Sequence, residues 1–395
     1  STPLYSSAAS DVYKRQQEGT LSSGSISTTY RDERWQDGSG NLALSQTGNW
    51  TRRRLDVSGD GDFTDTDELD DAGTFNVANE WLTRDLDNNS GTSGNNFTLA
   101  YDAAGNMTDD GRSYEYVWDG FGRLRQVKRT DNQALIAEYR YNGLGYRLSW
   151  KYDTDGDTDV DGSDQTYFFV YDLKWRPVAT YRGTDANPKE RFIFHNAGLA
   201  GRGGSSYIDA VIMRDRDANA GWTAASDATL EERRYYCQNW RADVVALLES
   251  DGDVSEWVRY SAYGEATVYP FVNGDYNADG GVDGGDTTAF LTDQDNSANA
   301  ADVNRDGSVD GDDVTAFYAS WDNDWSSTAW TSGGGLPANA GQLSVTSGNR
   351  IGYAGYQFDP ATEQYHVRHR VYSPEMGRWT CRDPCLLYTS DAADE

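Results

Sequence analysis

The chain has 395 residues, with 34 Lys+Arg against 64 Asp+Glu and a formal net charge of −30. Hydrophobic residues make up 37% and aromatics 13%, with 41 Gly and 26 Tyr beside only 8 Pro, a composition suited to a core built from short strands and tight turns. That balance argues against a nucleic-acid partner, which needs surplus cationic side chains, and no run of about 18 apolar residues is present to cross a bilayer as a helix.

In chain order, the first segment is set aside. Residues 1–16, ending in SSAASDVYKRQ, and residues 385–395, CLLYTSDAADE, carry no period that joins their neighbours. Both are expected to be translated adapter sequence at the edges of an assembled fragment. The polypeptide between them is expected to be a piece of something longer, with no export signal of its own. Cys237, Cys381 and Cys385 are scattered and make neither a disulfide framework nor a zinc spacing.

Residues 17–94 read as degenerate repeats, hinted at by Gly48-Asn49-Trp50 and Asn79-Glu80-Trp81, interrupted by an acidic loop at 56–67. Residues 95–271 carry a clearer unit: aromatic, Asp or Asn, two variable residues or so, then Gly. It occurs as Tyr101-Asp102-Ala103-Ala104-Gly105, Trp118-Asp119-Gly120-Phe121-Gly122 and Tyr141-Asn142-Gly143-Leu144-Gly145. An Asx residue opening a four-residue turn that ends in Gly is type I turn chemistry, the side chain capping the backbone and Gly accepting left-handed dihedrals. Before each turn the residues alternate, Tyr114, Tyr116 and Trp118 against Glu115 and Val117, so the unit is a hairpin. From Tyr141 to Tyr171 the spacing is long only because a 12-residue acidic insert, 153–164, lies between them. Hairpins repeated in this way imply one wound or stacked sheet rather than separate domains.

Residues 272–325 hold two acidic loops, DYNADGGVDGGD at 275–286 and DVNRDGSVDGDD at 302–313. They match the EF-hand calcium loop. Asp275, Asn277, Asp279, Asp283 and Asp286, and Asp302, Asn304, Asp306, Asp310 and Asp313, supply side-chain oxygens at positions 1, 3, 5, 9 and 12. Gly281 and Ser308 offer the backbone carbonyl of position 7, and Gly280 and Gly307 permit the sharp bend. Two single loops follow the pattern less closely: Asp56, Ser58, Asp60, Asp62 and Asp67, with Gly61 at position 6; and Asp153, Asp155, Asp157, Asp161 and Asp164, with Thr158 where Gly is expected. A further candidate, Asp215 to Asn219, lacks the Gly and the late acid and reads as degenerate. The four loops together contain 20 acids and one base, Arg305, and such crowding is self-repulsive without a divalent cation, for which Ca²⁺ is the expected ion.

Residues 326–349 read as a Gly/Ser-rich linker and 350–384 as a final compact segment. That segment reads IGYAGYQFDP at 351–360, YHVRHRVY at 365–372, PEMGRW at 374–379 and RDP at 382–384. With RYYCQNW at 234–240, VVALL at 244–248 and RYSAYGE at 259–265, it resembles the RHS-associated core, and the hairpin units resemble the YD repeats of the same family. The resemblance implies a spiralling β-sheet shell that can enclose another polypeptide, often a toxin placed after the core. The two loops at 275–286 and 302–313, offset by 27 residues and followed by Phe290 and Phe317 on short helices, resemble a type I dockerin. That implies a cohesin-like partner, although positions 10 and 11 are Gly284-Gly285 and Gly311-Asp312 rather than small hydroxyl residues.

Catalytic signals are sparse. Among the three histidines, His366 and His369 are expected on opposite faces of one strand, unable to share a metal. Arg52, Arg53 and Arg54, and Arg123, Arg125, Lys128 and Arg129, are expected to pair with neighbouring acids. Asp383-Pro384 resembles the first half of the self-cleaving aspartyl protease motif that follows many RHS cores, without its partner aspartate. The expected fold is mainly β, a wound hairpin sheet bearing a small helical EF-hand pair. The expected function is a non-catalytic shell or scaffold of an exported bacterial protein, extracellular or at the cell surface. Two alternatives stand beside it: dockerin-mediated anchoring in a polysaccharide-degrading assembly, and the shell of a toxin whose protease and toxic parts follow.

Overall fold

The computed structural model describes residues 14–22, 25–34, 44–45, 49–56, 60–61, 63, 68–87, 93–155, 157–195, 210–250, 252, 254–270, 287, 290–291, 311, 314, 328–329 and 348–383. These residues are mainly β. A first sheet runs β1 (Lys14–Ser22), β2 (Ser25–Arg34), β3 (Arg52–Asp56), β4 (Leu69–Phe75), β5 (Trp81–Asp85) and β6 (Asn96–Thr98).

A second sheet of 15 strands begins with β7 (Ala100–Tyr101), β8 (Met107–Asp109), β9 (Tyr114–Trp118), β10 (Leu124–Arg129) and β11 (Leu135–Tyr141). It continues through β12 (Arg147–Tyr152), β13 (Thr166–Tyr171), β14 (Pro177–Arg182), β15 (Glu190–Phe194) and β16 (Val211–Arg216). It ends with β17 (Glu232–Gln238), β18 (Val244–Leu248), β19 (Val254–Tyr260), β20 (Ala266–Pro270) and β21 (Thr328–Ala329). A third sheet of four strands is β22 (Gln357–Asp359), β23 (Gln364–Val367), β24 (Arg370–Ser373) and β25 (Arg378–Trp379). Within each sheet every strand pairs antiparallel with the next in sequence, so the fold is a continuous meander.

The repeated turn is built identically at seven places. At Asn76, Asp102, Asp119, Asn142, Asp172, Asn239 and Ser261, the carbonyl accepts the N–H three residues on at 3.0–3.2 Å. The residue at that fourth position has a left-handed φ each time: Asn79, Gly105, Gly122, Gly145, Trp175, Ala242 and Gly264. In the six Asx cases Oδ1 also accepts the N–H groups two and four residues on, as Asp102 does from Ala104 and Asn106 at 2.9 Å each. The geometry is a type I turn followed by a left-handed residue, and many of these hairpins carry the matching register shift.

Strand parity then sorts the connections onto two rims. In the long sheet, the repeated turns join β7–β8, β9–β10, β11–β12, β13–β14, β17–β18 and β19–β20, all at one edge. The acidic insert 153–164 joins β12 to β13, the 217–231 connection joins β16 to β17, and 271–327 joins β20 to β21, all at the other edge. Because β20 pairs with β21 through Thr267↔Ala329 and Val268↔Thr328, the two ends of the 271–327 stretch lie on neighbouring strands.

The long sheet curls. Arg53, in β3 of the first sheet, makes a two-pronged contact with Glu265, 212 residues later, just past the β19–β20 turn. Segment 348–383 lies within the curl and shares all three buried clusters. Ala361 and Val371 pack with Tyr116, Tyr139, Trp150 and Tyr167; Phe358, Tyr365 and Tyr372 with Val258 and Val268; Ile351 with Phe192, Tyr236 and Leu247. Each fully buried aromatic contributes about 1.5–3 kcal/mol of hydrophobic stabilisation, so this segment is core material rather than a surface appendage.

Three local expectations are amended. β1 opens at Lys14, and Lys14, Arg15 and Gln16, from the segment set aside as adapter, pair with Arg34, Glu33 and Asp32. Thr328 and Ala329, inside the stretch read as linker, form the last strand of the long sheet, and Asn349 at its end is buried and bonded to Tyr236 at 2.9 Å. His369 does not lie on a strand with His366: β23 ends at Val367, and Arg368, with φ 48°, turns the chain before His369.

Candidate cation loops and the C-terminal closure

In the loop between β3 and β4, Asp56 is buried, and Gly61, at φ 96°, donates its N–H to Asp56 Oδ2 at 3.1 Å. In the loop between β12 and β13, Thr158, at φ 81°, donates its N–H to Asp153 Oδ2 at 2.8 Å. The two loops therefore share one device: position 6 bends left-handed and its amide fixes the carboxylate of position 1. Thr158 takes the conformation expected of Gly, at a steric cost that its loop must overcome.

Carboxylate oxygens converge in both. Asp153, Asp155 and Asp164 bring oxygens within 4.8 Å of one another, and Asp155, Asp157 and Asp161 do the same, so all five residues read from the sequence fall in two triads joined at Asp155. Asp164 is further fixed by Thr154, whose N–H and hydroxyl lie 2.5 and 3.0 Å from Oδ1, and by the Asp161 N–H at 2.8 Å from Oδ2. In the first loop Asp56 and Asp60 converge with Glu68, one residue beyond the expected Asp67. The longer Glu side chain reaches where an Asp one position earlier was expected; the adjacency of Asp67 and Glu68 is the only sequence signal for it. Ser58, Asp62 and Asp67 lie outside the described residues, as do all the ligand positions in 275–286 and 302–313. In the latter region, Thr287, Phe290 and Leu291, and Gly311 and Val314, have helical backbone, and Phe290 is buried.

Oxygen-only donor sets of this kind suit a hard cation such as Ca²⁺. The electrostatics of the second loop agree. Although Asp157 accepts the Asp159 N–H, which opposes the shift, desolvation and the neighbouring Asp155, Asp159 and Asp161 carboxylates leave its carboxyl above its ordinary value. Crowding of that sign is relieved by a cation.

The degenerate loop behaves differently. Asp215 pairs outward with Arg233 at 2.7 Å, whereas Asp217 is buried and meets Lys189 Nζ at 3.3 Å, with both side chains fully buried. Asp227 and Glu231, which the sequence did not single out, bring carboxylate oxygens to Asp217. Asp227 is held below the ordinary carboxylate range, chiefly by the Thr229 hydroxyl and amide and with a contribution from Lys189.

The opposite rim is closed by segment 348–383. The Met107 N–H donates to Thr380 O at 2.8 Å, the Ala354 N–H to Asp243 Oδ1 at 2.8 Å, and the Tyr365 and Tyr372 hydroxyls to the carbonyls of Gly264 and Tyr263 at 2.9 Å. Glycines of the repeated turns make room for it: a Cβ on Gly105 would meet Arg382, one on Gly145 would meet His369, and one on Gly264 would meet the Tyr353 ring. Deeper in, Tyr139 donates to Asp359, Gln364 to the Tyr116 hydroxyl at 2.7 Å, and Arg350 meets Glu190. His366 packs on the Tyr139 ring with Nε2 3.4 Å from Asp359 Oδ2, and His369 sits edge-on to Trp175. Neither histidine stands beside a second metal ligand set among the described residues.

The basic clusters pair with acids only in part: among the described residues no ion pair forms at Arg125, Lys128 or Arg129, and the Nε atoms of Arg125 and Arg129 are buried without a hydrogen-bond partner. Arg52 and Arg54 share Asp70, Arg53 takes Glu265, and Arg123 bonds Asp119. Asp383 lies 3.4 Å from Arg370, and Pro384 is outside the described residues.

These features define a class: a curled antiparallel meander, closed along its turn rim by its own C-terminal segment and lined with acidic loops on the other rim. No protein-family profile matches the chain. Over 301 residues, 76% of the chain, it is 21% identical to the tRNA3(Ser)-specific nuclease WapA of Bacillus spizizenii, of which it spans 8% of the length. Among solved structures it is similar to TcdB2-TccC3-TEV, at 14% identity and a TM-score of 0.36, covering 94% of this chain and 17% of that one. The Photorhabdus luminescens Tc holotoxin pore gives 14% identity and 0.36, covering 98% and 18%.

Proposed function

We propose that this chain is a stretch of an RHS-type β shell from an exported bacterial protein, structural rather than catalytic, whose C-terminal segment seals one rim. The observation that carries the reading is the placement of segment 348–383, the part that resembles the RHS-associated core: it fills the curl and lies against the repeated turns at Gly105, Gly145 and Gly264. A sheet whose concave side is lined in this way serves to wall off a volume. In the longer protein, the wall would shelter a polypeptide that follows the core.

Calcium is the second element of the proposal. Asp56, Asp60 and Glu68, and Asp153, Asp155 and Asp164, would each hold one Ca²⁺ and stiffen the rim opposite the closure. The loops at 275–286 and 302–313 would hold two more, on an insertion whose ends meet at β20 and β21. A cohesin-like partner for that insertion is tested by pull-down with the full chain.

Two measurements test the reading. Calorimetric titration of the full chain with calcium should give a stoichiometry of about two to four, and chelation should lower the melting temperature; zero heat and an unchanged melt defeat the calcium element alone. For the shell, a polypeptide carried after the core in the longest natural chain should resist protease until the fold is disrupted. Cleavage at the rate of a free peptide in the native state defeats the shell element.

A further inference from the structure

Lys189 immediately precedes β15, on the acidic rim, and its ammonium is fully buried. It faces Asp217 Oδ2 at 3.3 Å and the carbonyl oxygens of Ala220 at 3.3 Å and Gly221 at 3.1 Å. Around it the loop is stitched together: Asp217 Oδ1 accepts the Ala220 N–H at 3.1 Å, Oδ2 accepts the Asp227 N–H at 3.2 Å, and the Asp217 N–H donates to Lys189 O at 2.9 Å. Asp227 and Glu231 complete a group of three carboxylates whose oxygens lie within 4.8 Å of one another. The Asp217 carboxylate and the Ala220 and Gly221 carbonyls, turned on one point, are oxygen donors of the kind a hard cation takes, and here a covalently tethered ammonium stands at that point, with the exposed Asp227 and Glu231 carboxylates beside Asp217 but beyond ion-pair distance of the ammonium.

We propose that Lys189 is the built-in cation of the 217–231 loop, which therefore keeps its shape without a metal, and that the loop becomes a calcium site when the ammonium is removed. A buried carboxylate such as Asp217 needs a positive partner, and an ion pair in that setting is far costlier to break than to lack. Lysine oxygen distances of 3.1–3.3 Å would contract to about 2.3–2.6 Å around Ca²⁺, a change that surface-loop carbonyls can accommodate. The consequence for the molecule is a division of the acidic rim: this loop would stay ordered in calcium-poor surroundings where its neighbours loosen. That contrast rests on the calcium element of the proposed function; the inference about Lys189 itself does not.

The test is calcium titration of the full chain as wild type, Lys189→Met, Lys189→Arg and Lys189→Met/Asp217→Asn, with thermal melts in chelator and in calcium. Lys189→Met should bind one more calcium than wild type, melt lower in chelator, and recover in calcium. Lys189→Arg should gain no site, and the double variant should recover without calcium. A wild type that binds none while Lys189→Met binds one supports the inference and defeats only the calcium element above. A folded Lys189→Met that gains no site, one as stable as wild type in chelator, or one that calcium fails to restore overturns it.

Discussion

The Tyr139 hydroxyl, in β11, donates to Asp359 Oδ2 in β22 at 2.6 Å across 220 residues of sequence, and both side chains are buried. This bond ties the wall to the closing segment beside the His366 ring. Asp359 is buried, its Oδ1 also accepts the Ala361 N–H at 2.9 Å, and despite burial, which pushes it up, its carboxyl is held below its ordinary value by His366, Arg147 and Tyr139.

Tyr139→Phe removes the donor and leaves that carboxylate short of a partner. A bond to a charged group is worth about 1.5–3 kcal/mol, so a loss of that size is expected in denaturant unfolding. Tyr116→Phe, which removes a neutral partner of Gln364, should cost about 1 kcal/mol. Equal losses from the two variants would show that the Asp359 contact is nothing special.

Two partly buried groups in this segment titrate in opposition. Burial and Arg147 push His366 down to about 4 from 6.5, against the pull of Asp359. Its contribution to stability is present above pH 6.5 and is lost as pH falls toward 4. Burial and Glu375 push Glu363 up to about 7 from 4.5, so its contribution is present below pH 4.5 and is lost as pH rises through 7. The windows overlap with opposite sign. Glu363→Gln should therefore steepen the loss of stability on acidification from pH 6.5 to 4.5, and His366→Gln should make the protein more stable over the same descent; chemical denaturation at several pH values reads both.

Arg84 of β5 joins three elements, bonding Asp71 of β4 through Nε at 2.7 Å and Glu375 through Nη1 at 2.8 Å, while Glu375 also takes Arg112 at 3.0 Å. Burial already pushes the Asp71 carboxyl up, and Arg84 is the chief force holding it down. Arg84→Met should cost about 3–5 kcal/mol by stranding Asp71, and Arg84→Met/Asp71→Asn should recover part of that. No recovery in the double variant would place the loss in packing alone.

Gly264 and Gly105 occupy the same position in their turns, with φ 93° and 83°, but face different neighbours. An alanine Cβ at 264 would stand 2.6 Å from the Tyr353 ring, locked between Tyr260 and Tyr372, whereas at 105 it meets the half-exposed Arg382, which can swing away. Gly264→Ala should cost about 2–4 kcal/mol and Gly105→Ala about 1 kcal/mol, read from urea melts. The reverse order would contradict the docking of Tyr353 on that turn.

Much of the wall was legible in the sequence because its signals are local. Period-two alternation gave the strands, and an Asx residue followed by Gly three places later gave the turns at Asp102, Asp119 and Asn142. The turns at Asn76, Asp172 and Asn239 were obscured because Asn79, Trp175 and Ala242 hold the left-handed position in place of Gly, and at Trp175 stacking on Tyr146, with ring centroids 4.3 Å apart, favours the large side chain. Asp56 and Asp153 were readable from loop spacing, which aligned the two loops even with Thr158 in place of Gly at position 6. What composition could not reveal is long-range: that Arg53 meets Glu265, that segment 348–383 fills the curl, and that a lysine from one connection pairs with a buried aspartate of another.

The central claim is that segment 348–383 closes the wall by packing rather than by its covalent attachment. A protease site placed between Gly333 and Gly335 permits the direct test: cleave the native chain, then pass it over a sizing column. The account predicts that both pieces elute together at the position of the intact chain and separate only in denaturant. Release of the C-terminal piece under native conditions, with the wall still folded by circular dichroism, would contradict it.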